Sequence, residues 1–157
     1  MEKPALLREA VQAALPEFAA DPDRLRIYVD GGEIIPARAT LSHHVEYTLN
    51  LFAQELAAGA LARLNIAIIH WLQRHQPDIL EPGTGGKKAY TFEAEPIDSE
   101  RWDVVISLRL SEHVIVRLDD AGRLNVKTLK EPQYDTDSVL GAFAAALGVA
   151  DDKKVGG

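Results

Sequence analysis

The sequence predicts a single α+β domain, with an antiparallel or mixed sheet and helices packed on one face. Three observations point there. Residues 44–52 alternate without a slip, Val45, Tyr47, Leu49 and Leu51 on one side and His44, Glu46, Thr48 and Asn50 on the other, the period of a strand with one buried face. Residues 58–75 switch to a helical period, with Leu61, Leu64, Ile68, Trp71 and Leu72 in one stripe widened by Ile66 and Ile69, as in a helix lying across a core. Beyond residue 88, short alternating segments follow the glycine-rich loop and read as further strands of the sheet.

The remaining elements follow in order. Pro4 to Phe18 carries Leu6, Val11, Ala14, Leu15 and Phe18 at helical spacing. Pro4 fits a first turn, where its missing N–H needs no partner, and Pro16 predicts a break near Leu15. Leu25 to Ile35 reads as a hairpin turning at Asp30-Gly31, because apolar Leu25, Ile27 and Val29 alternate with Arg26 and Tyr28 before a strong turn pair. Pro77 closes the central helix, and a glycine-rich loop, Glu81 to Lys88, leads into a strand over 89–95. Further strands are expected over 102–110, 113–118 and 124–129. Asp120-Ala121-Gly122 joins the last two as a hairpin, and Ser111-Glu112 reads as a bulge or bend because it breaks the alternation. Asp135, Asp137 and Ser138 offer caps for a last helix carrying Leu140, Phe143 and Leu147, stopped by Gly148. The expected organisation is one domain over residues 1–148 and a flexible tail over 149–157.

Composition narrows the function classes. Apolar residues make up 46% and charged residues 26% of 157 positions, which suits a globular domain with a sizeable core. Without cysteine, neither a disulfide framework nor a thiolate metal site or nucleophile can form. The N-terminus lacks the basic-then-apolar pattern of a secretory signal, and the longest uncharged apolar stretch, 139–150, is too short to span a bilayer. A net charge of −7, with no basic cluster beyond Lys87-Lys88 and Lys153-Lys154, argues against a nucleic-acid groove and for solubility.

No catalytic constellation emerges. Gly83-Thr84-Gly85-Gly86-Lys87-Lys88 invites comparison with a phosphate-binding loop, but Glu81 and Lys88 stand where that motif needs glycine and serine or threonine, and the loop follows a helix rather than a strand. His70 and His75 are five apart, poorly placed to share a metal as an i, i+4 pair would be. His43 and His44 point to opposite faces, and His113 stands alone, so surface or capping roles are expected for the histidines. Glu46 and Glu93, on separate strands, could meet in space, but solvated strand faces explain such carboxylates. Trp71 is expected in the core and Trp102 packed at a strand entrance. No cofactor or metal is called for. The candidate contacts with a partner are Lys87 and Lys88, the densest positive charge before the tail, and the polar strand face of Glu46, Thr48 and Asn50.

Four pieces of the chain, taken in order, carry a resemblance. They are Pro22-Asp23-Arg24-Leu25-Arg26-Ile27-Tyr28-Val29-Asp30-Gly31, then Glu46-Tyr47-Thr48-Leu49-Asn50, then His70-Trp71-Leu72-Gln73-Arg74-His75-Gln76-Pro77-Asp78-Ile79-Leu80 with Gly86-Lys87-Lys88-Ala89-Tyr90-Thr91-Phe92-Glu93-Ala94-Glu95, and finally Asp103-Val104-Val105-Ile106-Ser107-Leu108. Across residues 3–130 this set resembles the tail completion protein R (GpR-type) family of contractile-tailed temperate phages. Residues 134–157 have no counterpart in it. The resemblance implies a tail-terminator-like fold and a structural virion morphogenesis protein, not an enzyme, that completes the tail at its head-proximal end before head joining. The partners implied are further copies in a hexameric ring, tail tube and sheath proteins, and head–tail connector proteins. DNA would pass through the ring without sequence-specific binding, and no membrane is involved. The implied places are the bacterial host cytoplasm during assembly and then the virion tail. A head–tail adaptor or stopper is the alternative within that setting, and a small-molecule binding domain or enzyme using the 81–88 loop is the alternative outside it.

Overall fold

A computed structural model describes residues 1–80, 89–130 and 146–148. The elements are α1 (Lys3–Ala14), α2 (Pro16–Ala20), β1 (Leu25–Pro36), β2 (His43–Ala57), α3 (Leu61–His75), β3 (Tyr90–Pro96), β4 (Arg101–Leu118) and β5 (Leu124–Thr128). One five-stranded sheet has the order β1-β2-β4-β3, with β5 pairing the far half of β4. Every pairing is antiparallel, so the antiparallel arm of the expectation is the one realised.

Helix α1 stops where Pro16 requires it. Leu15 is pushed out of the helical region to φ −125 and ψ 89, as a residue before proline tends to be. Pro16 then opens α2. The Arg63 guanidinium donates to the carbonyl of Ala14, satisfying one of the carbonyls that a helix end leaves without a partner. α3 ends at Gln76, whose N–H still reaches the Leu72 carbonyl at 2.8 Å before Pro77 halts the helix.

The core lies between the helices and one sheet face. Leu7, Val11, Ala14 and Phe18 pack with Leu64, Ile68, Trp71 and Leu72 over Leu49, Leu51, Ile106 and Leu108, all buried. The register explains the layer: Leu49 faces Leu108, Leu51 faces Ile106 and Ala53 faces Val104, so the apolar positions of both strands fall on one side. Leu147 joins this core, and Gly148 takes φ +73 beside the Ala13 carbonyl. The rest of the expected last helix and the tail lie outside the described residues, as does the 81–88 loop. His75 stacks on Trp71 with ring centroids 4.7 Å apart, and Trp102 packs against the core as expected.

Three expectations are corrected. Asp30-Gly31 is not a hairpin turn: β1 runs through it as one strand and pairs with β2 on both sides. Val29 faces Leu49 and Gly32 faces Tyr47, so Asp30 and Gly31 stand opposite Thr48 alone. That is a β-bulge with glycine at positive φ (76°). Ser111-Glu112 does not interrupt β4, whose register with β2 is continuous from Val114 back to Val104; Glu112 instead points into the core. His70 is buried, not a surface residue: it follows buried Ala67 by three positions on α3, which puts it at the border of the buried stripe.

Candidate functional site

The face of the sheet away from the helices is covered by no helix among the described residues. Its polar character comes from the alternate positions of β2. Glu46 is exposed and accepts from His44 Nε2 at 3.2 Å. Thr48 is half-buried opposite Arg109. Asn50 is only 6% exposed, and its Oδ1 accepts the Ser107 hydroxyl at 2.6 Å. Of the three residues singled out on this strand, Glu46 and Thr48 are therefore reachable from outside, whereas Asn50 ties β2 to β4. Arg26 lies over the Phe52 ring, 5.5 Å from its centroid, and Tyr28 stands half-exposed beside them. Lys87 and Lys88 lie outside the described residues.

Glu46 and Glu93 are not brought together. Glu46 pairs with Ser111 and Glu93 with Val105, six residues apart along β4, or about 20 Å at strand rise. His113 is not alone: it faces His44 across the strands, with ring centroids 4.0 Å apart in an edge-on contact. Among the described residues no group of three or more His, Asp or Glu side chains could hold a metal ion. Nor is any described helix long and apolar enough to cross a membrane.

Around Glu112 lies a polar cluster that periodicity alone did not indicate. Glu112 is 2% exposed. Its carboxylate accepts the backbone N–H groups of Glu2 and Lys3, each at 3.1 Å, and the Tyr47 hydroxyl at 2.9 Å. The terminal ammonium of Met1 lies 3.4 Å away. Burial pushes this carboxyl upward, but the Lys3 N–H, the Tyr47 hydroxyl and the terminal ammonium outweigh it, and the net direction is downward. Burial and then the neighbouring Glu112 charge push the Tyr47 hydroxyl strongly upward, so it stays a donor. Lys3 Nζ donates to the Ser111 carbonyl at 2.6 Å and to Gln76 Oε1 at 2.7 Å. Gln76 Oε1 also accepts the Ser111 N–H at 2.9 Å. The cluster thus binds the start of α1, the end of α3 and the middle of β2 and β4. It is a buried clamp that ties these four elements together. One sequence signal could have found Glu112: it occupies a core-facing position in the row Val104, Ile106, Leu108, Leu110, and a buried carboxylate must be paired.

Beside the clamp, a groove of about 570 Å³ runs along the bulge of β1, lined by Asp30, Glu33, Glu46, Tyr47, Thr48 and Arg109 among others. Its rim is acidic, which suits a cationic protein surface better than a phosphate.

These features describe a scaffold with two sheet edges, β1 on one side and β3 with β5 on the other. The family model for P2 phage tail completion protein R (GpR) matches residues 1–132. Tail completion protein R of Escherichia phage P2 is 38% identical over 133 residues, covering 84% of each chain. No solved structure matches the chain at a significant level. With a family model over most of its length and a relative of this identity, the chain belongs to the P2 phage tail completion protein R family.

Proposed function

We propose that this protein completes a phage tail as a ring of identical copies at the head-proximal end, capping the polymerised tail and preparing it for head joining. Membership of the tail completion protein R family gives it a structural role in the virion tail, and that membership is the observation that carries the proposal. The fold is consistent with it. A sheet bounded by β1 on one side and by β3 and β5 on the other offers two edges for neighbours. A cap on a six-fold tube would most simply share its symmetry.

The partners in this reading are further copies, the tail tube and sheath proteins, and the head–tail connector. DNA passes through without base recognition, and the place of assembly is the host cytoplasm. Lys87 and Lys88, on a chain of net charge −7, would meet carboxylates of a neighbouring subunit or tail protein; Glu46 and Thr48 add polar contacts. An electron-microscopy reconstruction of the head-proximal end of the assembled tail tests the reading: several copies around the lumen are expected. A single copy per tail sinks the ring, and a position between cap and head would make the protein an adaptor or stopper instead.

A further inference from the structure

Among the described residues, the helix layer ends before the sheet does. Helix α1 begins at Lys3, whose N–H bonds Glu112, so no described helix lies above the rows beyond Glu112. The core-facing positions continue there: Val114 and Val116 are half-buried, and Leu118, Leu124 and Val126 are more than 60% exposed. Val116 faces Val126 and Leu118 faces Leu124, which makes one contiguous apolar face on the β4–β5 arm. Monomers seldom leave such a face uncovered without an interaction to fill it.

Charge indicates what covers it. Over residues 113–130 the arm carries Arg117, Arg123, Lys127 and Lys130, all exposed, against Asp119 and Asp120, although the chain as a whole is at −7. The opposite edge is its complement. Residues 27–36 and 43–49, the bulged part of β1 and its partner stretch of β2, hold Asp30, Glu33 and Glu46 and neither lysine nor arginine. Ile34 stands there on the core-facing side, 68% exposed. The polarity fits as well. β1, β2, β4 and β5 pair in turn antiparallel, so β5 runs opposite to β1, and a neighbouring copy in the same orientation sets them antiparallel.

From this juxtaposition we infer that the β4–β5 arm of one copy docks on the acidic β1 edge of the next. Val126 meets Ile34 on the core side with Leu124 beside them, and Lys127 meets Glu33 on the rim. Unlike edges on one molecule make a head-to-tail contact, which generates a ring when the rotation between copies closes and does not generate a two-fold dimer. Complementary charge fixes the register and rejects edges of like charge. The inference rests on the ring reading above and names its interface.

The test is a charge swap. Tails are assembled with Glu33→Lys, Lys127→Glu or the double variant as the sole source of this protein, and copies per tail are counted against the tube protein. Both positions are exposed, so melting temperatures should stay near that of the parent. Each single variant should lose copies by about tenfold or more, and the double variant, which restores opposite charge, should recover most of them. Because the chain has no cysteine, Ile34→Cys with Val126→Cys can be joined by a short bis-maleimide in the same tails; a ladder of multimers is expected from the pair and none from either variant alone. Single reversals that assemble as the parent does, a double variant that is not rescued, or cross-linking by Val126→Cys alone each overturn the docking while leaving the ring intact. A parent present as one copy per tail overturns the ring reading and the docking with it.

Discussion

At the scale of single residues, Glu112 shows how a charge is held inside this core. Its carboxylate takes two backbone N–H groups and a tyrosine hydroxyl at 2.9–3.1 Å, which together offset the burial penalty of an ion. Its downward shift from the ordinary glutamate value of 4.5 has a defined sign. The stability it contributes is fully present above that value and is lost as pH falls through the lower folded one. Glu112→Gln should therefore lower stability by about 1–3 kcal/mol near neutral pH. In urea melts the gap between parent and variant should narrow steadily as pH is lowered below 4.5; a gap independent of pH would show that the charge contributes nothing.

At the scale of elements, the bulge in β1 makes two neighbouring glycines unequal. Gly31 has φ +76 with open space where a Cβ would sit, so Gly31→Ala meets backbone strain only, about 1 kcal/mol. Gly32 has no positive φ, but a Cβ there would lie 2.5 Å from the Glu46 carbonyl oxygen and 2.9 Å from Tyr47 Cβ. Neither atom can swing away, since both belong to the paired strand. Gly32→Ala should cost more, about 2–3 kcal/mol, as overpacking against fixed atoms does. Denaturation midpoints of the two variants check the order, and equal losses would mean that the strands separate more easily here than their register suggests. A second bulge, between Ala53 and Leu56, is held differently. Glu55 takes φ 52, its N–H donates to Asp103 Oδ1 at 2.9 Å and its carbonyl accepts from Arg24, so side chains supply what glycine supplies in β1.

At the scale of the whole molecule, the expected consequences concern assembly. With a net charge of −7 per copy, a ring would be strongly acidic, and an acidic bore lets DNA slide because no cationic wall releases its counterions. Mapping Asp and Glu onto the ring in a tail reconstruction decides this, and a neutral or basic bore defeats it. Lys87 and Lys88 belong to the same scale. Reversing both to glutamate should leave the melting temperature nearly unchanged, since exposed charge pairs contribute only about 0–1 kcal/mol, but should impair ring formation or tail capping. Tails assembled as well by the double variant as by the parent would make the 81–88 segment a connector only.

What the sequence determined by itself was whatever a few neighbouring residues can encode. The alternation of Val45, Tyr47, Leu49 and Leu51 set β2 and its buried side, the stripe from Leu64 to Leu72 set α3, and Pro16 and Pro77 set two helix ends. Four ordered pieces were enough to indicate the family. Of the candidate contacts, the outward direction of Glu46 and Thr48 was legible in that same alternation. The burial of Asn50 was not, because it depends on Ser107, 57 positions away. Only the tertiary structure decided between turn and bulge at Asp30-Gly31. Locally the pair favours reversal, but β2 is long enough to pair with both halves of β1, and a bulge keeps those backbone groups bonded. The same holds for Glu112. Its core-facing position was visible, yet its partners Lys3 and Tyr47 lie 109 and 65 residues away, and without them the sequence alone reads as a break in β4. The unlike charges of the β1 and β5 edges emerged only once pairing had placed those strands at opposite sides of one sheet. Periodicity is local and survives in the sequence, whereas pairing satisfies buried polar groups and apolar faces across the whole chain at once.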